Sequence, residues 1–392
     1  MATEAPIEET GVLGAVRGLA GRVGGRADEI ARGRALPPDL VEELRATGIP
    51  ALYLPKELGG EEADPVEVFR AVEALSTADG SLGWCAAVAV GTAPLAAYLP
   101  EEGARQVFSR PDAFAGGSLN PKEARGRPVH GGLRVSGRWG FGSGVRHSEW
   151  MCGACLVVDD EGRPQLTDAG SPIVRLAFFP RADVTVHDTW HVSGLEGTGS
   201  HDFSVDDVLV PAERTMGFDF LPWPGGDLWR VPPLSLVFGP FAAVPLGIAR
   251  AAVDELVGLA VAKTPYRSAR RLADRDVVQA MVARAEAAVR SARAFLVGAM
   301  RELTDAARHG DGATLHQRAI LRLAIVNASR AAVDAVELCY EVAGTTSIFT
   351  AHRLNRHWRD AHAASQHVVL AYSGWETVGR VLLGLEPDTA LV

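Results

Sequence analysis

Histidine is the most chemically versatile residue type near the end of the sequence. Four histidines recur at intervals of five residues, at His352, His357, His362 and His367. Metal-binding helices space their ligands by three or four, whereas an interval of five turns each side chain by about 140° from the last. We therefore expect no metal site. On the helix predicted here, Arg356, Asp360 and His367 share one stripe at offsets of four and seven. His367 is then either a core residue or a proton-handling group.

Two glycine-rich segments lie in the middle of the chain. Residues 138–144 read RWGFGSG, and their small side chains would let the backbone lie close to a flat ligand while Ser143 supplies a hydroxyl. A tight β-turn is an equally good interpretation of that segment. Residues 194–200 read GLEGTGS and precede a predicted strand, so both their order and their context differ from the GxGxxG dinucleotide fingerprint. No phosphate-binding loop of the Walker type occurs, and we expect neither a nicotinamide domain nor a nucleoside triphosphate domain.

Aromatic side chains cluster near the junctions between segments and could wall an apolar or aromatic pocket. The candidates for a substrate pocket are Trp84, Trp223, Trp229 and Phe238, and Trp190 lies at another junction. Ordinary packing is the more frequent role for any one tryptophan. Cys152 and Cys155 form a CxxC in a predicted strand, where residues three apart face opposite sides, so we expect core packing rather than a disulfide or a metal site.

The periodicity of the sequence changes twice along the chain. It predicts a helical N-terminal domain at 1–112, a β-rich middle domain at 113–215 and a helical C-terminal domain at 216–392. Within the last domain, long helices are predicted near 240–262, 274–308, 312–343 and 356–384. Long helices with short breaks indicate an antiparallel bundle.

Composition limits the classes of function. The 392 residues carry a formal net charge of −9, with 47% hydrophobic and 22% charged residues, which is typical of a globular protein without a basic surface for nucleic acid. The longest uncharged stretches contain prolines and are predicted to be buried helices rather than membrane spans. Residues 1–10 are acidic and lack the pattern of a signal peptide, so we expect a cytoplasmic protein.

Two motifs together resemble a known family. The segment 190–202 (WHVSGLEGTGSHD), followed by Val-Leu-Val-Pro at 208–211, resembles the end of the β-domain in flavoproteins of the acyl-CoA dehydrogenase fold. The segment 357–367 (HWRDAHAASQH) resembles the C-terminal signature of their two-component flavin-dependent monooxygenase branch. The resemblance covers about residues 12–385. It implies an α+β fold with an N-terminal helical domain, a middle β-barrel or sandwich and a C-terminal four-helix bundle.

The resemblance also implies an activity. A separate NAD(P)H:flavin reductase would supply reduced flavin, which reacts with O₂ to a C4a-hydroperoxide that hydroxylates an apolar aromatic or heteroaromatic substrate. Ser143 would lie near flavin N5 and His367 near the peroxide. Further residues expected around the flavin are Ser118, Phe141 and Arg356, with His362 and Asp360 as auxiliary groups. A homotetramer of dihedral symmetry is expected from the same resemblance.

Departures from the family patterns decide between related activities. The Arg-x-x-Phe-Gly motif that grips the adenine side of FAD is replaced by YRSARR at 266–271, which favours FMNH₂ over FADH₂. A dehydrogenase needs a carboxylate base, but Val368 stands at one family position and residues 234–249 contain no acid. Dehydrogenation is therefore disfavoured. An N-oxygenase on the same fold, an acyl-CoA dehydrogenase and a non-catalytic scaffold remain as alternatives.

Overall fold

The computed structural model describes residues 11–217, 221–309 and 312–387. The prediction that residues 1–10 carry no signal peptide lies outside these ranges.

The N-terminal part is helical, and its most deeply buried element is a central helix. The six helices are α1 (Val12–Val23), α2 (Ala27–Gly33), α3 (Pro38–Ala46), α4 (Pro65–Ala78), α5 (Gly80–Thr92) and α6 (Glu101–Val107). Asp64 and Asp79 begin α4 and α5, where each side chain accepts a hydrogen bond from a backbone N–H of the first turn. Every residue of α5 from 80 to 91 is buried, so the polar groups on this helix need partners inside the protein.

The middle part is one mixed sheet. Its strands are β1 (Ala115–Ser118), β2 (Ala124–Val129), β3 (Gly132–Gly142), β4 (Trp150–Val157), β5 (Val174–Pro180), β6 (Thr185–His187), β7 (His201–Pro211) and β8 (Thr215–Met216). They are ordered β6-β7-β3-β2-β4-β5-β8, with β1 parallel to β4 at its side. Strands β2 and β3 form an antiparallel hairpin. Cys152 packs toward the helices and Cys155 into the core of the sheet, both as free thiols, which confirms the alternation expected for a strand.

The C-terminal part packs long helices around α10. Its helices are α7 (Pro233–Phe238), α8 (Ala243–Ala262), α9 (Asp276–His309), α10 (Leu315–Ala343), α11 (Arg353–Ala364) and α12 (Gly374–Leu382). The predicted helices near 240–262, 274–308 and 312–343 agree with α8, α9 and α10 to within a few residues. Helix α10 contacts α8, α9, α11 and α12, so the apolar residues around it are covered within the chain.

The prediction of a single long helix at 356–384 is wrong. Helix α11 ends at Ala364, and a series of turns over 365–373 separates it from α12. Periodicity does not include Arg322 of α10, whose guanidinium donates to the carbonyls of Val368 and Val369 and so stabilises these turns from a distant part of the chain. His367 lies in these turns. The periodicity predicted that His367 shares a helical stripe with Asp360, and this prediction is wrong.

Two helical stretches, Gly80–Tyr98 and Pro233–Ala262, are long and apolar enough to cross a membrane by length and composition. Most of each stretch is buried inside the protein. This burial accords with the prediction that both are core helices.

Helix α4 of the N-terminal part packs against α8 of the C-terminal part, and the two helix backbones approach each other closely. A Cβ added at Gly247 of α8 would lie 2.5 Å from Ser76 Cβ and 2.6 Å from the Glu73 carbonyl oxygen. Gly258 lies on the same helix with nothing within 4 Å of its added Cβ.

This contrast gives a paired test of the packing. We expect Gly247→Ala to lower the free energy of unfolding by about 1–3 kcal/mol, because the backbones must separate. Gly258→Ala should raise it by up to about 1 kcal/mol, because alanine is the better helix former. Denaturant unfolding of both variants measures the two values, and equal effects would contradict the close α4–α8 contact.

Candidate functional site

The site begins where β3 ends in a strained turn. Phe141 has a left-handed backbone (φ 61°), and the pairing of β3 with β7 is irregular between Trp139 and Gly142. This irregularity turns the chain and brings Ser143 into the interior, where it is 7% exposed. The Gly144 N–H donates to the Thr198 carbonyl at 3.0 Å, which fastens this turn to the glycine-rich turn at 194–200.

Ser143 belongs to a buried cluster of hydroxyl groups. Its Oγ accepts a hydrogen bond from Trp84 Nε1–H of α5 at 3.0 Å. The Ser143 and Ser200 hydroxyl oxygens are 2.6 Å apart, and Ser200 lies 2.7 Å from the Thr198 hydroxyl. All four side chains are buried, so Ser143 is held by one helix and one turn that are distant in sequence.

Helices α11 and α5 hold the turn at 194–200. The Asp360 carboxylate of α11 accepts from the Leu195 N–H at 2.6 Å, and Ser81 Oγ of α5 accepts from the Gly197 N–H at 3.1 Å. Burial, together with the neighbouring carboxylate of Asp79, raises the pKa of Asp360 to about 7. Asp360 was predicted as an auxiliary group, and in the structure its carboxylate accepts a hydrogen bond from the backbone of this turn.

His367 is a second neighbour of Trp84. Its ring stacks on Phe241, with centroids 5.0 Å apart and planes 7° from parallel, and meets the edge of Trp84 at 5.3 Å. Phe238 is the next aromatic ring, at 6.4 Å. Trp84 therefore contacts both Ser143 and His367, and the two residues predicted to be catalytic share one neighbour.

The protonation state of His367 follows from its surroundings. Burial and the positive charge of Arg322 lower the pKa of His367 to about 4, so the ring is neutral near pH 7. Nδ1 faces the Val369 N–H at 3.4 Å and acts as the acceptor, which assigns the ring proton to Nε2. His367 thus offers a neutral N–H donor.

Arg322 is a positioning residue that the sequence interpretation missed. It is 5% exposed, burial lowers its pKa to about 10, and it donates to the carbonyls of two residues that follow His367. The available signal was one arginine within the apolar run ILRLAIV at 320–326. Thr198 and Ser200 were also missed, because residues 194–200 were interpreted only as a turn.

Three other residues predicted to contact the cofactor are Ser118, Phe141 and Arg356. Ser118 ends β1, and Phe141 is 74% exposed, with its ring edge toward Trp190 at 6.2 Å. Arg356 forms an ion pair with Asp28 of α2. The structure therefore does not bring Arg356 to His367.

The remaining predicted residues have partners of their own. His362 packs on Trp358 and lies 3.3 Å from a carboxylate oxygen of Glu337. Trp223 donates to the Ala96 carbonyl at 2.9 Å, and Trp229 donates to Glu62 Oε1 at 3.1 Å. Of the predicted pocket residues, Trp84 and Phe238 are the two that contact the ring of His367.

The described residues contain no metal centre. Across 11–217, 221–309 and 312–387, no group of three or more His, Cys, Asp or Glu side chains is arranged to hold a metal ion.

Comparison with known proteins places the chain in a family. Models of the acyl-CoA dehydrogenase N-terminal and C-terminal domains match residues 8–110 and 240–372. The indole-3-acetate monooxygenase of Pseudomonas putida is 34% identical over 364 residues, which are 92% of this chain and 91% of that protein. The chain belongs to the flavin-dependent monooxygenase branch of the acyl-CoA dehydrogenase family.

Other relatives agree with this assignment. The oxygenase component of an FADH(2)-dependent resorcinol hydroxylase from Rhizobium sp. (strain MTP-10005) is 29% identical over 94% of this chain and 95% of its own length. The crystal structure of 3-HSA hydroxylase from Rhodococcus sp. RHA1 superposes with a TM-score of 0.89 at 26% identity, covering 98% of this chain and all of that one. The predicted fold class, the family resemblance and the monooxygenase function are confirmed. The protein is the oxygenase component of a two-component, group D type monooxygenase.

The residues of the site fit a reduced flavin ring. Trp84, Phe238 and Phe241 supply apolar surface for a planar ring system. Ser143 Oγ uses one lone pair and its proton within the protein, so one acceptor position stays free for a ligand N–H. His367 adds a donor.

The neutral state of His367 predicts a pH effect on stability. The unfolded chain takes up this proton near pH 6.5 and the folded chain only near pH 4, so the associated stability is complete above pH 6.5 and is lost as the pH falls. Between these values, the unfolding free energy of the flavin-free wild type should fall faster than that of His367→Gln, by up to about 1.4 kcal/mol per pH unit. Urea unfolding at several pH values measures both slopes, and parallel slopes would contradict the assignment.

Proposed function

We propose that the protein uses reduced flavin from a separate NAD(P)H:flavin reductase, together with O₂, to hydroxylate an apolar aromatic or heteroaromatic substrate in the cytoplasm. The supporting observation is that Trp84 contacts both Ser143 and the neutral ring of His367, which also lies against Phe238 and Phe241. When bound, reduced flavin supplies the two electrons that activate O₂.

Each residue has a separate task in this proposal. Ser143 Oγ holds the flavin N5–H through its free acceptor position. His367 donates Nε2–H to the reacting oxygen, and a neutral donor suits this task because it stabilises developing negative charge without giving up its proton beforehand. Trp84 and Phe241 exclude water from the space beside His367.

The proposed flavin is FADH₂. The missing Arg-x-x-Phe-Gly motif favours FMNH₂, but the resorcinol hydroxylase that matches along 94% of the chain is FADH(2)-dependent. A relative that aligns from end to end is the stronger support, because one short motif can be replaced by other contacts to the adenine side.

Two observations support an aromatic substrate: the aromatic rings around His367, and the aromatic compounds in the names of the related monooxygenases. Phe238 and Trp84 present rings to His367, and apolar rings favour a flat substrate. Val368, which follows His367, stands at a position where related dehydrogenases carry their carboxylate base, and residues 234–249 contain no acid. Hydroxylation is therefore the better supported reaction.

Loss of His367 should uncouple the reaction. We expect His367→Ala to bind reduced flavin within a few fold of the wild type, yet to release hydrogen peroxide in place of most of the hydroxylated product. Loss of one donor to developing charge costs about 10²–10³-fold in comparable sites. Ser143→Ala should shift the same ratio more mildly. The ratio of product to peroxide per flavin consumed is the measurement.

The control for this experiment is His309→Ala at the end of α9, where the ring bonds only to the backbone of its own helix. It should keep the wild-type ratio. If His367 is a core residue alone, His367→Ala will lower the melting temperature and leave the ratio of the folded fraction unchanged, which would contradict the proposed role.

We also propose a homotetramer. The sequence of 312–343 is apolar on several helix faces, but this does not support the tetramer, because α10 is covered within the chain. The support is a set of exposed apolar residues on the helical part: Val257, Val261, Val277, Ile348 and Phe349, each at least 44% exposed. Closed symmetric assemblies bury such surfaces.

Light scattering tests the assembly. Wild-type protein should have four chain masses, and Phe349→Asp should shift the distribution to smaller species because a charge cannot be buried unpaired at an apolar interface. Leu166→Asp, at a comparably exposed leucine of the middle part, is the matched control and should stay tetrameric. A monomeric wild type that is independent of concentration would remove the proposal.

A further inference from the structure

A continuous chain of hydrogen bonds runs through the buried hydroxyl cluster. Trp84 Nε1 lies 3.0 Å from Ser143 Oγ, which lies 2.6 Å from Ser200 Oγ. Ser200 Oγ lies 2.7 Å from Thr198 Oγ1, and Thr198 Oγ1 lies 2.9 Å from the Leu195 carbonyl oxygen. The three hydroxyl groups have one proton each, so they can form this chain only in an ordered way.

The two ends of the chain determine its direction. An indole N–H can only donate, and a carbonyl oxygen can only accept. Each hydroxyl therefore accepts from the neighbour on the Trp84 side and donates to the neighbour on the Leu195 side. The proton of Ser143 is directed at Ser200, and what Ser143 presents to a ligand is a lone pair.

We propose that Ser200 and Thr198 determine the redox state of the flavin that the site accepts, by keeping the Ser143 hydroxyl an acceptor toward the ligand. Reduced flavin carries a hydrogen on N5 and can donate to that lone pair, whereas oxidised flavin has a bare N5 that needs a donor. Ser200 and Thr198 act through Ser143 and are positioning residues. This inference rests on the proposed function, in which Ser143 lies next to N5.

The size of the effect follows from what reversal costs. To donate to oxidised flavin, Ser143 must turn its proton outward, Ser200 must donate to Ser143 and Thr198 to Ser200, so the Thr198–Leu195 bond is lost. The Leu195 carbonyl keeps the Trp190 Nε1–H donor at 3.2 Å, so no buried acceptor is left without a partner. Reversal thus costs about one net hydrogen bond, which corresponds to a preference of about two- to tenfold for reduced flavin.

Two variants should each remove the fixed direction of the hydrogen-bond chain, at different points along it. In Ser200→Ala the Ser143 proton has no acceptor in the chain and is free to turn to the ligand. In Thr198→Val, which has nearly the same shape, Ser200 loses its acceptor and the chain can run either way. Thr198→Ser keeps the hydroxyl and should rescue the direction.

The experiment is anaerobic titration of each purified protein with oxidised FAD and with FADH₂, followed by fluorescence, to give the ratio of the two dissociation constants. We expect the wild type and Thr198→Ser to favour FADH₂ by similar ratios. The ratio should fall about two- to tenfold in Ser200→Ala and in Thr198→Val. The same change should appear as a shift of the midpoint potential of the bound flavin.

Ser148→Ala is the matched control. Ser148 is a buried serine of the same turn that donates to the Gly144 carbonyl at 3.0 Å and lies outside the chain of hydroxyl groups. Its ratio should equal that of the wild type. Unchanged ratios in both Ser200→Ala and Thr198→Val, or an equal fall in Ser148→Ala, would overturn the inference. Wild-type protein that binds neither form of flavin would instead overturn the proposed function.

Discussion

The architecture of the site depends on one buried hydrogen bond, from Trp84 Nε1–H to Ser143 Oγ. Trp84 lies on a helix whose residues 80–91 are all buried, so its indole N–H must find a partner inside the protein. The ring cannot move without breaking this bond or its edge contacts with Phe241 and His367. One indole therefore contacts both a polar group from the sheet and an imidazole from the C-terminal turns.

The surrounding elements keep these groups in position through backbone contacts. Asp360 and Ser81 hold the turn at 194–200 by its N–H groups, and Arg322 holds the turns after α11 by their carbonyls. Charged groups make stronger hydrogen bonds than neutral ones, but loss of one partner leaves the other buried without compensation. Asp360 and Arg322 thus act on the site through the backbone of its turns, and their burial makes these turns sensitive to substitution.

Much of the fold, but only part of the site, could be predicted from the sequence. Aspartates at 64 and 79 mark helix starts, and the alternation of Cys152 and Cys155 marks a strand, because these are local rules. Ser143 and His367 were predicted from motifs of the family, and their roles stay predictions. The stripe linking His367 to Asp360 was wrong, because His367 lies in turns that are stabilised by Arg322, more than forty residues earlier, and local periodicity does not include such a contact. The bonds of Thr198 and Ser200 likewise depend on which turns the fold brings together, which periodicity does not record.

The most direct test of the account is a crystal structure of the protein with reduced flavin bound, determined from anaerobically grown crystals. The account predicts the flavin ring between Ser143 and His367, with N5 about 3 Å from Ser143 Oγ and with the Trp84–Ser143 bond intact. A flavin bound elsewhere, or one whose N5 faces away from Ser143 while His367 points out of the site, would contradict it.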